Sequence, residues 1–293
     1  MAAPLDPALL VENEIAAPDF VDFLAIDGEN AWVTNRGRVE LWSKQGKLAS
    51  VAMSRPCGTM AIASGSLWVA NCEEASLYRV DLESRTIDTI IPTGIAEPRG
   101  ETNVVAGAGS VWVPSIAEGG IARVDPATNE VIATVDVVPG TFFLAYGRSA
   151  LWAVSSERRL LQRIDPATNT VTGTVALGKQ PGFLTAGDGG VWVQEQGDGT
   201  VARIDPETME VLGRTKVGDN LLYGDIDVAD GIVWLRTTSD QTFVAIDAET
   251  AQIVTRAGPA VGSGAIRHTP DGVWTTAHDV ESLSWWEPGT AVE

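Results

Sequence analysis

Apolar residues in this chain come in short alternating runs, with no long stretch at helical spacing. Between residues 182 and 217 the runs GFLTAG, VWVQE, TVARID and EVLGRTKV follow one another, rich in Val, Thr and Trp and broken by Gly, Asp or Pro. Such runs, interrupted roughly every 8–12 residues, specify strands and not amphipathic helices. The stretch predicts an inner strand at 182–187, a tight turn at 188–190, a second strand at 191–195 and a loop at 196–199. A third strand at 200–205, the turn PETM and an outer strand at 210–217 complete the unit.

The unit recurs along the chain. Its second strand carries the phrases NAWVTN, SLWVAN, SVWVPS, ALWAVS, GVWVQE, IVWLRT and GVWTTA, centred on Trp32, Trp68, Trp112, Trp152, Trp192, Trp234 and Trp274. Successive Trp residues are 36, 44, 40, 40, 42 and 40 positions apart, and a period of about 40–45 residues is that of a four-stranded propeller blade. The third strand runs into a second repeated phrase, as in IARVDPATNEVIA, LQRIDPATNTVTG and VARIDPETMEVLG. Asp at the first turn position caps backbone N–H groups and Pro at the next supplies a preset φ. Asp81, Asp125, Asp165, Asp205 and Asp247 therefore read as turn-formers, and the seven Trp residues as packing between blades.

The fold class that follows is all-β: a seven-bladed β-propeller of four-stranded antiparallel blades, forming one domain over residues 1–293. After Trp274 the chain runs through SLSWWEP and ends too soon for a further outer strand, whereas the N-terminal LDPALLVENEI mimics the turn phrase and the strand that follows it. Residues 8–16 are thus expected to supply the outer strand of the last blade, so that ring closure removes the free edges.

Charge narrows the partners. Thirty-nine acidic against 20 basic residues give a net charge of −19, which repels nucleic-acid phosphates and anionic membranes. The expected partner is a small molecule or peptide, with no nucleic acid and no membrane, and the chain is expected to be a monomer. No apolar run approaches the roughly 18 residues of a membrane span. The N-terminal stretch lacks a basic n-region and an apolar h-region, which leaves the compartment open: cytoplasmic as written, or secreted once a leader has been removed.

The inner-strand, G-x-V-W-V and (A/V)-R-(I/V)-D-P-x-T-x-x-V pattern resembles the YVTN and streptogramin (virginiamycin B) lyase-like seven-bladed propellers over nearly the whole chain. The resemblance implies that function sits on the face where the second-to-third-strand loops and the blade-to-blade connections open around the central channel. It also implies Pro-x-Gly phrases before the inner strands, with the catalytic histidines at x in the last two blades. Here the corresponding phrases are RPCG with Cys57, EPRG with Arg99, LYG with Tyr223 and GSG with Ser263. No His stands at any of them, so the lyase pair does not carry over. The lyase carboxylate four residues beyond the last-blade Trp corresponds to His278, in TAHDVES.

Several residues are candidates at that face. Arg99 is a prospective anion clamp, and Tyr223 and His278 are prospective proton-transfer or hydrogen-bonding groups; acidic neighbours would raise a His pKa. His268 belongs near the opposite end of its strand. Glu101, Asn103 and Asp225, the last alternating with Asp227 on one face of an inner strand, are candidate ligand-binding or channel-lining groups, together with Cys57 and Ser263. Carboxylates gathered there could hold Mg²⁺ or Ca²⁺ or simply line a hydrated channel, so no cofactor and no metal ligand is assigned. The hairpin around Ser64-Gly65-Ser66 sets Cys57 opposite Cys72, as a disulfide or a thiol pair. No nucleotide-binding, P-loop, zinc-protease or serine-hydrolase motif appears. Two functions fit: a lyase-like propeller recognising a small molecule or peptide at the channel mouth, with lyase or hydrolase activity left open, and a non-catalytic protein-interaction scaffold. The Phe142-Phe143 pair suits either.

Overall fold

The computed structural model describes residues 5–98, 100–221, 224–236, 241–260 and 262–289. Within them lie seven sheets, each of four antiparallel strands in simple up-and-down order. Blade five runs Pro181–Gly187, Gly190–Glu195, Thr200–Ile204 and Val211–Lys216, within a residue or two of the expected bounds. Neighbouring inner strands pack side by side around the circle, and Leu24–Asp27 of blade one meets Ile266–Thr269 of blade seven. The ring is therefore closed.

Closure uses the N-terminus. Leu10–Ala16 pairs antiparallel with Ser282–Pro288, from Leu10 opposite Pro288 to Ala16 opposite Ser282. The strand begins later than the expected residue 8, because Pro7–Leu9 forms a short 3₁₀ turn in which Asp6 Oδ1 accepts the Ala8 N–H at 3.0 Å. The Asp-Pro phrase thus makes a turn here too, and the turn consumes the first residues assigned to the strand.

All seven blade Trp side chains are buried between sheets, at 0–1% exposure. Each withdraws some 150–250 Å² of ring surface from water, on the order of 4–6 kcal/mol at the usual transfer coefficient. The indole N–H groups of Trp68, Trp112 and Trp152 donate to the carbonyls of Ala63, Gly107 and Gly147 at 3.0–3.1 Å. The repeated carboxylates form turns: Asp125 and Asp165 accept the Ala127 and Ala167 N–H groups at 2.8 Å, and Asp205 accepts those of Glu207 and Thr208. Backbone hydrogen bonds hold the Asp205 and Asp247 carboxyls below their ordinary range.

The Arg of the repeated phrase ties one blade to the next. Arg79 Nη1 donates to the Pro126 carbonyl and Asn129 Oδ1 at 2.8 and 2.7 Å, and Arg123 Nη1 does the same to Pro166 and Asn169 at 2.6 and 2.8 Å. Each guanidinium also lies over its own blade's Trp, 5.1 and 4.7 Å from the ring centroid, a cation–π contact.

Candidate functional site at the loop-rich mouth

Seven blade-to-blade connections descend into the inner strands and surround one end of the channel. Two cavities lie there, of about 350 and about 400 Å³. Asp22, Phe23, Gly100 and Glu101 line both, so the two are lobes of one mouth with Asp22 and Glu101 on the divide.

The apolar wall comes from Phe23, Phe142, Phe143 and Phe183. Phe143 and Phe183 sit on inner strands whose pairing is irregular there, between Thr141 and Phe143 and between Pro181 and Leu184; irregular pairing of this kind re-aims side chains. Their ring centroids are 4.7 Å apart, and Phe23 lies 5.8 Å from Phe183.

The acidic side is pinned by backbone. Phe23 N–H donates to Thr34 Oγ1 at 2.9 Å and Asp22 N–H to the Thr34 carbonyl at 3.1 Å, while the Thr276 hydroxyl donates to the Asp22 carbonyl. Blade one and blade seven thus share Asp22. The loop bearing Glu101 is fixed on both sides, by Asn103 N–H to Phe142 O at 3.1 Å and Val104 N–H to Thr59 O at 3.0 Å. Gly58 permits this approach: its φ is +83°, and a Cβ there would stand 1.7 Å from the Thr102 carbonyl oxygen, a position only glycine fills.

Neither the Asp22 nor the Glu101 carboxyl has a hydrogen-bond or ion-pair partner among the described residues. Burial raises the Asp22 carboxyl well above its ordinary range, and the charges of Glu101, Asp225 and Asp279 push the same way against Arg236. Glu101 is an exposed residue, yet it lines both concave lobes. Loss of hydration there, with the Asp225 charge adding, pushes its carboxyl up to about 7.

Asp225 lies below, in the channel. Its carboxylate forms an ion pair with Arg267 and accepts the Ile226 N–H at 2.8 Å, and burial raises its pKa. Asp227 accepts the N–H groups of Val228 and His268 at 2.9 Å. Asn103, 3% exposed, lines the same channel and donates from Nδ2 to the Leu144 carbonyl at 3.1 Å, while its Oδ1 has no partner. Among the described residues, no group of three or more His, Cys, Asp and Glu is gathered closely enough to hold a metal ion.

The other candidates scatter around this centre. Cys57 lines the larger lobe and is bonded to Cys72 as a disulfide, with Cα atoms 5.9 Å apart. Ser263 lines the aromatic lobe, its N–H donating to Asp279 Oδ2 at 3.0 Å. His278 opens a short 3₁₀ turn on this face and stacks on Phe20 with centroids 4.1 Å apart, so that Phe20 and not His278 lines the mouth. Its Nδ1 lies 2.7 Å from Asp279 Oδ1, and burial still holds the imidazole below its usual range. His268 is on the opposite face, over Trp234. Arg99 and Tyr223 fall outside the described residues; their chain neighbours Gly100 and Gly224 line the aromatic lobe.

Sequence reading had passed over Asp22, Phe23 and Phe183. A signal was present in the repeat. Ten residues before each blade Trp the chain has Gly58, Gly182, Gly224 and Gly264 in four blades, but Asp22 in blade one. One residue later the ring of positions reads Phe23, Thr59, Asn103, Phe143, Phe183, Asp225 and Ala265, with three aromatic and three polar positions interleaved around it.

No protein-family model matches the chain, and no curated protein matches it by sequence. Solved structures do share the fold. A streptogramin B lyase structure superposes with a TM-score of 0.80 at 16% identity, over 97% of this chain and 99% of that one. A chain of the Kuenenia stuttgartiensis hydrazine synthase gives 0.77 at 14%, covering 94% and 98%. A chain of a mitotic checkpoint complex gives 0.81 at 14%, covering 99% and 96%. At such identities the likeness is one of architecture: this chain is a seven-bladed propeller with a streptogramin lyase-like fold, and fold alone does not fix function.

Proposed function

We propose that the loop-rich mouth binds a small molecule or short peptide bearing an apolar group, and that Asp22 and Glu101 transfer a proton on that ligand in a lyase-type reaction. One observation carries the reading: a single mouth joins a wall of four Phe side chains to two unpartnered carboxyls of raised pKa. An apolar cavity with a few convergent polar groups is the usual form of a ligand site, and perturbed carboxyls in it suit acid–base work. Glu101, titrating near neutrality, is the group matched to accept and return a proton. Asp22, its carboxyl also raised by burial, lines the same mouth as a second polar group for the ligand. Arg99 and Tyr223 are the proposed clamp and auxiliary proton-transfer group, and Ser263 is a proposed ligand contact. His278 has a positioning role, through Phe20.

The interaction-scaffold reading calls for one exposed apolar patch on a face. Among the described residues the exposed large apolar side chains are dispersed: Leu48, Ile90, Val131, Ile132, Leu212 and Val254 lie on the outer strands of five different blades, Leu9 and Val11 near the N-terminus, and Ile116 and Val280 at turns of blades three and seven, which supports the ligand-binding reading. Its test is a thermal-shift screen with cyclic depsipeptides, lactones and short peptides, repeated on Phe143→Ala and Glu101→Gln. A true ligand loses its shift in Phe143→Ala, while Glu101→Gln still binds and abolishes turnover. A ligand indifferent to both substitutions would place binding elsewhere.

A further inference from the structure

We infer that the mouth selects a protonated amine carried on an apolar, ring-sized body. The inference rests on the ligand-site reading above and deepens it.

The first ground is the kind of polar atom left unfilled. At the mouth the Asp22 and Glu101 carboxyls lack partners among the described residues, and in the channel directly beneath, the buried Asn103 Oδ1 lacks one too. All three offer acceptor oxygens; Asn103 is buried and Asp22 half-buried, and an acceptor without a donor is costly in such surroundings. A ligand rich in N–H donors answers them; a carboxylate or phosphate cannot.

The second ground is charge. Asp22 feels Glu101, Asp225 and Asp279, and Glu101 feels Asp225. The nearby cations are already engaged. Arg267 pairs with Asp225, and Arg236 donates to the carbonyls of Thr276, Thr242 and Gly262 at 3.1, 2.8 and 2.9 Å. Arg36 and Arg55 line the lobe that Asp22 and Glu101 also share, where Arg36 lies over Phe20 and Arg55 donates to the Pro98 carbonyl. Among the described residues, none of these cations forms a hydrogen bond or ion pair with the Asp22 or Glu101 carboxyl.

The third ground is independent of the acids. The Phe23, Phe143 and Phe183 rings form one cluster in the wall of the same cavity. Aromatic faces attract cations, most strongly where water is excluded, and the same wall accommodates an apolar body. Ammonium and ring thus find their partners within one cavity of about 350 Å³.

Binding of an amine must expel protons from the acid pair, since a cation beside a carboxyl favours its ionised form. Affinity therefore rises with pH through the Glu101 transition near 7. The test is calorimetric titration of the full chain with 2-phenylethylammonium, neutral 2-phenylethanol and anionic phenylacetate at about pH 6, 7 and 8, in buffers of differing ionisation heat. The expected result is at least about tenfold tighter binding of the ammonium than of the alcohol, a several-fold gain from pH 6 to 8, and proton release on binding. Glu101→Gln and the near-isosteric Asp22→Asn should each remove that preference. If the alcohol or phenylacetate binds as tightly as the ammonium, amine selection is wrong while the site reading stands. If no probe of any charge binds, the site reading falls with it.

Discussion

On the face carrying the Asp-Pro turns, Arg79 and Arg123 each reach the same two acceptors of the following blade; on the opposite face, the position that is Gly in four blades is Asp in one, Thr in another and Phe in a third. The two faces are made by one repeat, and they differ in what the repeat must do. The turn face answers a backbone problem identical in every blade, so one phrase recurs with its hydrogen bonds satisfied. The mouth has no such problem in common, and there unlike side chains are brought together with their polar groups unfilled.

Breaking a strap on the turn face should give the largest effect. Arg123→Ala removes two charge-assisted hydrogen bonds between blades three and four and a cation–π contact within blade three. A loss of about 2 kcal/mol is expected, read in a denaturant titration; a change within experimental error would mean that the straps decorate a ring already held by its Trp residues.

At the mouth the expected sign is opposite. A carboxyl whose folded pKa exceeds its unfolded one takes up a proton on folding, so its contribution makes stability fall as pH rises from the ordinary 4.5 toward about 7, and then level off. Glu101→Gln removes that slope. Melting curves between about pH 5 and 8 should show the variant gaining on the parent as pH rises, and parallel curves would show Glu101 to be an ordinary surface carboxylate.

The smallest effect sharpens the comparison inside the turn face. Blade five has Met209 where blades three and four have Asn129 and Asn169, all three at positive φ. The facing Arg163 therefore lacks the Oδ1 that Arg79 and Arg123 reach through Nη1, while its Nε is orphaned among the described residues because Ala150 stands where those two find Ser66 and Ser110. Met209→Asn restores a residue that tolerates this conformation and offers Oδ1 to Arg163. A gain of roughly 0.5–1 kcal/mol is expected; destabilisation would show that Met209 contributes more through its packing near Gly173 than a strap would.

The amino-acid sequence by itself determined the blade number, the strand order, the closing N-terminal strand and the turn role of the repeated Asp residues. These follow from local chemistry: Pro presets φ, Asp caps the turn, and a period near 41 residues brings one buried Trp to each blade. It also brought Cys57 opposite Cys72, because hairpin register is local; that they form a disulfide is a matter of the folded geometry. What only the tertiary structure decided is who meets whom around the mouth. Asp22 and Glu101 are far apart in the chain and belong to connections entering blades one and three, and His278, legible as a loop histidine, is covered by Phe20. Closing a ring fixes distances between blades that no single repeat encodes, and those distances create the unpartnered acids, their shifted protonation and the aromatic wall of the same mouth.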